Sequence, residues 1–466
     1  MTTAKTLKIH NPYNGELIKE IPMDGRDQME QQLETAYGLF QDQKQWLQAH
    51  ERIAILEKTV EIMKTRVEEM TQTAAREGGK PYQDSRVEVL RAINGVKIAA
   101  EYIGQIKGEQ IPMGLTASSI NRLAFTFREP IGVVASISAF NHPLNLVIHQ
   151  TVTAFAAGCP VIIKPASTTP LSCLGFMEIL REAGMPKGWC QSLICDNEIA
   201  ELLVKDSRVN FLSFIGSARV GWSLKAKLSP GTRCALEHGG VAPVIVEKDV
   251  DLMEIIPALV KGGFYHAGQV CVSIQKIFAH QDIVDDLANL LSEQAAHLVV
   301  GDPLDEKTEV GPLILTKEVN RVDEWVKEAV EKGAEILCGG KKISEFCYEP
   351  TVLFNPPSEA RISMEEVFGP VVCIYPFADR NEAIERANSL PVHFQAAVFT
   401  NNLDIALDLV KKLNANAVMV NDHTAFRVDW MPFGGRDESG IGMGGIPYSI
   451  HEMTREKLIV FKSKFL

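Results

Sequence analysis

Residues Ile131–Pro165, IGVVASISAFNHPLNLVIHQTVTAFAAGCPVIIKP, decide the fold. IGVVASISA is a short apolar run of the kind that forms a buried strand. LNLVIHQTVTAFAAG then carries helical spacing, and CPVIIKP is a second short apolar run. Strand, helix and strand in this order make one unit of a parallel sheet.

The same rhythm continues downstream. PLSCLGFMEILREAG, NEIAELLVK and ARVGWSLKAKL read as helices, and QSLIC, VNFLSFIG and RCALE as strands. A second strand–helix series starts at APVIVEKDVDLMEIIPALVKGGFYHAG, runs through SIQKIFAHQDIVDDLANLLSEQ and reaches NAVMVND. Two such series predict an α/β protein with two doubly wound, Rossmann-like domains and a cleft between them. Upstream, from about Asp27 to Gln105, apolar residues recur at three- and four-residue spacing, so helices are expected, two of them separated by Gly78-Gly79 and Pro81. IPMGLTASSINRLAFTFREP breaks this pattern with strand-like alternation. It reads as a hairpin outside the main core, whose edge needs a partner elsewhere in the chain or in another subunit.

Composition narrows the function. At 466 residues the chain is too long for one core, and 46% hydrophobic with 23% charged residues is ordinary for a globular protein. A net charge of -12 argues against nonspecific nucleic-acid binding, although a local basic pocket for a small anion remains compatible with it. There is no apolar leader and no run long enough to span a membrane, so a cytoplasmic protein without membrane partners is expected. The nine cysteines form no CxxC pair and no zinc-type spacing with histidine; reduced thiols and no metal are expected.

Several positions can carry chemistry, each with a plain structural alternative. FIGSARVG places Gly216 and Ser217 where a strand turns into a helix, either a phosphate-binding helix start or a simple turn. Lys164 ends an apolar strand, where it reaches a ribose or phosphate or merely closes the strand. Glu237, before His238-Gly239-Gly240, is either a desolvated general base or a surface carboxylate at a turn. Asn141 can donate to an oxyanion or cap a helix. Cys271, in YHAGQVCVSIQKIF, is by itself more simply a core thiol than a nucleophile.

Taken in order, FNHPLN, KPASTTPLS, FIGSARVG, LEHGG, GQVC, EEVFGPVV and MPFGGRDESGIG resemble the aldehyde dehydrogenase superfamily, over nearly the whole chain from NPYNGELI onward. The resemblance implies Cys271 as nucleophile, Glu237 as the base that activates water, and Asn141 with the Cys271 N–H as oxyanion hole. It implies NAD or NADP as cofactor, held by Lys164, Ser217, Glu366 and Phe368, with Gly216 and Ser167 beside them. It further implies a cofactor-binding domain over residues 1–111 and 130–237, a catalytic domain over 238–430, and an oligomerisation arm over 112–129 and 447–466, in a homodimer or homotetramer. Glu237 favours a free acid as product over an acyl-CoA. Two positions depart from the common pattern. Ser167 stands where many NAD-preferring members have a glutamate, so NADP should be tolerated, and Gly444 replaces a glutamate of possible proton-relay use.

Tunnel positions carry Arg91, His142, His149, Val270 and Arg427. Two arginines and two histidines suggest a short polar or anionic aldehyde, because a guanidinium fork suits phosphonate, phosphate or carboxylate. The look is nearest to the group acting on phosphonoacetaldehyde, lactaldehyde or glyceraldehyde 3-phosphate. A succinic semialdehyde dehydrogenase and a noncatalytic crystallin-like relative are the alternatives, and a structural ion pair is the plain reading of Arg91 or Arg427.

Overall fold

The computed structural model describes residues 5–466. Its first large sheet is built on the quoted stretch. The strand Val133–Ile137 lies between Val161–Lys164 and Val209–Ile215; Cys190–Ser192 extends one side and Arg233–Glu237 the other, all parallel. Numbered along the chain, these five strands run 3-2-1-4-5 across the sheet, the order of a doubly wound dinucleotide-binding fold. Val134, Val161 and Ile163 face one apolar core, while Val133, Ala135 and Ile162 face another. Burial on both faces explains why these strands are apolar throughout.

Helices cover both faces. Ala49–Thr65, Tyr82–Tyr102, Asn145–Ala157 and Leu171–Glu182 supply one core, and Arg26–Gln41 and Asn197–Lys205 the other. Asn145–Ala157 is buried along its whole length, which accounts for its lack of a polar face. It stops at Gly158, whose φ of 87° is the left-handed cap that ends many helices.

The second sheet orders its strands Glu335–Cys338, Thr351–Phe354, Val371–Phe377, Lys276–His280, Pro243–Val246, Gln395–Phe399 and Ala417–Val420. Only the outer strand Glu335–Cys338 is antiparallel. A third sheet pairs Arg122–Pro130 with Gln110–Ile111 on one side and with Thr454–Lys462 on the other. The edge of the interrupting hairpin is thus taken by the far end of the same chain.

The sequence reading differs from the structure in several places. The helical region divides once more, at Arg66, between Ala49–Thr65 and Val67–Gly78. An N-terminal hairpin, Thr6–His10 with Leu17–Pro22, carries too few buried positions to show in the pattern. The small sheet begins at Gln110, and Gly440–Ile441 returns to the edge of the first sheet beside Arg233–Glu237. Among the described residues no helix is long and apolar enough to cross a membrane.

Candidate active site

At the carboxyl edge of the first sheet a cavity of about 760 Å³ opens toward the second half of the chain. Asn141, Lys164, Gly216 and Glu237 reach it from the ends of four neighbouring strands, and Cys271 and Glu366 line it from the other side. Ligands of doubly wound sheets bind at this edge, beside the strand where the winding reverses.

Cys271 arrives there on a constrained turn. After helix Leu252–Phe264 the chain makes a tight turn, Tyr265–Gly268, with His266 at φ 49° and Ala267 at φ 54°. Left-handed backbone at two side-chain-bearing residues is costly and persists only where the surroundings enforce it. At Gly268, φ 69°, an added Cβ would lie 2.0 Å from the Gly369 carbonyl oxygen, so only glycine fits. The Gln269 side chain then fixes the loop: Nε2 donates to the Pro312 carbonyl at 3.2 Å, and Oε1 accepts from the Ile314 N–H at 2.9 Å. The Asn141 Nδ2 donates to the Gln269 carbonyl at 3.0 Å. The amide and the thiol are thereby fastened to each other, and the second Asn141 N–H remains for an oxyanion.

Charge at this corner is poorly compensated. Burial pushes the Glu237 carboxyl up to about 7, against a smaller opposing pull from Arg427. Burial also pushes Glu366 up to about 8, and its Oε1 has no hydrogen-bond partner. Glu366 enters through space left by Gly239, where a Cβ would lie 1.8 Å from Oε1. The Cys271 thiol is held above its ordinary range, first by burial and then by Glu237. Arg427 stacks 3.5 Å from the Phe433 ring centre, and among the described residues it makes no ion pair and its Nε has no partner. A half-buried thiol, a carboxyl titrating near neutrality, an aimed amide and a guanidinium without an ion pair around one cavity suit nucleophilic attack on a carbonyl.

The aldehyde dehydrogenase family description matches residues 1–459. The chain belongs to the aldehyde dehydrogenase family. It is 40% identical to the 3-sulfolactaldehyde dehydrogenase of Priestia aryabhattai over 98% of this chain and 95% of that one. The structure of glyceraldehyde-3-phosphate dehydrogenase from Methanocaldococcus jannaschii, complexed with NADP, superposes with a TM-score of 0.94 at 36% identity, covering 99% of this chain and 100% of that one. Aldehyde dehydrogenase 21 from Physcomitrella patens, in complex with the reaction product succinate, gives 0.95 at 36% identity, covering 99% and 96%. The protein is therefore an oxidoreductase acting on aldehydes, and its α/β fold is that of its relatives.

In this dehydrogenase the residues expected around the cofactor line one stretch of the cavity: Lys164, Ser167, Gly216, Ser217, Glu366 and Phe368. They fit a dinucleotide. Lys164 is buried, burial lowers its pKa against a weaker pull from Cys195 and Asp196, and among the described residues its only hydrogen bond is to the Pro165 carbonyl at 3.4 Å and it makes no ion pair. The orphaned Glu366 Oε1 lacks a donor of the kind a ribose hydroxyl supplies. Around Lys164 the lining contains Ala166, Ser167, Thr168 and Asn197 and no carboxylate.

The four residues expected to contact substrate part company. His142 and Arg427 line the cavity; His142 is buried and neutral, and its Nε2 meets the Tyr265 hydroxyl at 3.0 Å. Arg91 also lines it, but its guanidinium grips Asp429 with both arms, at 3.2 and 2.8 Å. His149 lies outside this cavity and donates Nε2–H to Asp429 Oδ1 at 2.8 Å. Asn145 Nδ2 approaches the same oxygen at 3.3 Å. The structure thus moves His149 from the tunnel into a buried cluster and gives Arg91 the ion pair that was its plain reading. Asp429, two residues beyond Arg427, was missed; an acid so close to an arginine in FRVDW was the available signal.

Proposed function

We propose that the enzyme oxidises a short aldehyde carrying an anionic group to the free carboxylic acid, through a thioester on Cys271, with NADP or NAD as oxidant. The unpaired guanidinium of Arg427, facing the same cavity as Cys271, carries the reading. Relatives support it: one acts on 3-sulfolactaldehyde, one on glyceraldehyde 3-phosphate and one holds succinate, while the lactaldehyde dehydrogenase of Methanocaldococcus jannaschii keeps a small uncharged aldehyde among the candidates. Val270 and Val272 are buried beside Cys271 and supply no charge, so anion recognition falls to Arg427, with Arg91 contributing what Asp429 leaves free. Succinic semialdehyde is the second candidate, favoured by the succinate-bound relative.

The protein's part in the reaction follows from its groups. Cys271 loses its proton to Glu237, whose pKa near 7 suits a general base at neutral pH, and the sulfur adds to the aldehyde carbon. Asn141 Nδ2–H and the Cys271 N–H hold the oxyanion. Lys164, Ser217 and Glu366 would hold the dinucleotide, which when bound supplies the two-electron oxidation. Glu237, once it has passed that first proton to solvent, takes a proton from water as the water attacks the thioester carbonyl; the C–S bond breaks, the acid leaves, and Glu237 returns the proton to the departing thiolate. Ser167 itself brings no negative charge to this part of the lining, which favours tolerance of a 2′-phosphate.

The exposed strand Thr454–Lys462 borders the small sheet, with Leu458, Val460 and Phe461 open to solvent. We assign it to subunit contact in a homodimer or homotetramer.

The test is a panel of phosphorylated, sulfonated, carboxylated and neutral aldehydes, each with NADP and NAD. Cys271→Ser should abolish reduced-cofactor formation and leave cofactor binding intact; undiminished turnover would remove the nucleophile assignment.

A further inference from the structure

Two fully buried residues outside the reacting groups converge on the Asn141 loop. Lys80 sits in the break between helices Val67–Gly78 and Tyr82–Tyr102, and Glu88 lies on the second of these; both are essentially inaccessible and form an ion pair. Lys80 Nζ donates to the Asn141 carbonyl at 3.1 Å. Glu88 Oε1 accepts from the N–H groups of Leu144 and Asn145, both at 2.9 Å, at the start of helix Asn145–Ala157. The lysine thus holds one end of Asn141–Asn145, and the carboxylate holds the other.

A buried ion pair is weak evidence for stability, since desolvation offsets its attraction. This pair spends its remaining hydrogen bonds on the backbone of one loop, and that loop carries the oxyanion amide. On its other side, Asn141 is fastened to the nucleophile's loop through Gln269. We propose that Lys80 and Glu88 are positioning residues for the oxyanion hole: they set the Asn141 backbone so that its side-chain amide stays fastened to the Gln269 carbonyl beside Cys271. The inference rests on the role given to Asn141 above. It adds a reason for a charged pair to be kept where apolar residues would pack at least as well. A displacement of about 1 Å at such a group can cost about a hundredfold in rate.

Removing one partner alone would leave the other charge buried and uncompensated, so the informative variant is Lys80→Met/Glu88→Gln. It is neutral, and its amide oxygen still caps the helix. Rapid-mixing bursts of reduced cofactor would be followed with the best aldehyde of the panel, in wild type, Asn141→Ala, the double variant and the triple combination. Cofactor affinity would be read from NADPH fluorescence. The double variant should lose about 10- to 100-fold in burst rate, as misplacing a single oxyanion donor does, with cofactor affinity within about twofold. In the Asn141→Ala background the same pair should cost less than about threefold, because groups acting through one residue are not additive. An unchanged burst, or equal losses in both backgrounds, would overturn the proposal. A crystal structure of the double variant, or of the neutral pair Lys80→Leu/Glu88→Gln if the double variant does not fold, gives a reading independent of turnover. The Asn141–Gln269 hydrogen bond should be broken, and its retention at 3.0 Å would overturn the proposal as well. A wild-type burst that survives Asn141→Ala would instead refute the oxyanion assignment on which the inference stands.

Discussion

Asp429 and Arg427 are two residues apart and live in opposite electrostatic settings. Around Asp429 every charge is answered: Arg91, His149 and Asn145 all donate to it, and those partners, led by His149, hold its carboxyl far below the usual range despite burial. Around Arg427, the guanidinium has no ion pair among the described residues, and burial pushes the neighbouring Glu237 carboxyl up to about 7. The closed cluster leaves no buried charge uncompensated, so removing any one partner would be costly. The open corner is left with unmet charge, which suits a site whose partners arrive with substrate and cofactor.

The largest effect that would sharpen this contrast is kinetic. Glu237→Gln should lower kcat by about 10²–10⁴-fold, the usual range for a general base. The wild-type rate should rise with pH through about 7 as Glu237 loses its proton, and the variant should lack that limb in a pH–rate profile. Asp429→Asn comes next. It strips a buried carboxylate from Arg91 and His149 and should destabilise the fold by about 3–5 kcal/mol in denaturant titrations. Arg427→Ala should leave stability nearly unchanged; equal destabilisation by both substitutions would erase the distinction. Third, Arg427→Ala should raise KM about tenfold or more for anionic aldehydes, the worth of a charge-assisted hydrogen bond, and much less for neutral ones. Equal shifts would remove the anion argument.

The smallest effect is a pH dependence of stability. A carboxyl raised to about 8 in the native state binds its proton more tightly there than in the unfolded chain, so Glu366 lowers stability as pH rises from the unfolded carboxylate range toward 8. Glu366→Gln should flatten that decline in thermal melts. Asp429 has the opposite sign. Its depressed pKa contributes stability above the unfolded carboxylate range, lost only in strong acid.

How far the sequence revealed this depends on range. The parallel strands were legible because burial on both faces makes each a self-contained apolar run, as in IGVVASISA. The family was legible because several motifs follow in order. Cys271 was not legible by itself, since a buried thiol is ordinary; its place depends on Asn141 and Gln269, which no local pattern joins. His149 was misread as a tunnel residue, and the choice between substrate contact and ion pair for Arg91 stayed open, for the same reason. Their partner, Asp429, lies on the far side of the sequence, and a pairing across 338 positions leaves no periodic trace. Lys80 and Glu88 went unremarked in the sequence, because nothing local marks them as a pair; only their burial and their contact in the fold do.

The path of the C-terminus has a consequence for how the protein is made. Ile446, Ile450 and Met453 belong to the same apolar core as Leu56 and Val147, and Thr454–Lys462 completes the sheet begun at Gln110. The core beneath the first sheet therefore cannot close until residues 446–453, far downstream, have been made. It must wait through synthesis of the entire second sheet with apolar surface uncovered, the condition that favours aggregation and chaperone capture. Removing residues 446–462 would strike the half of the molecule that was translated first.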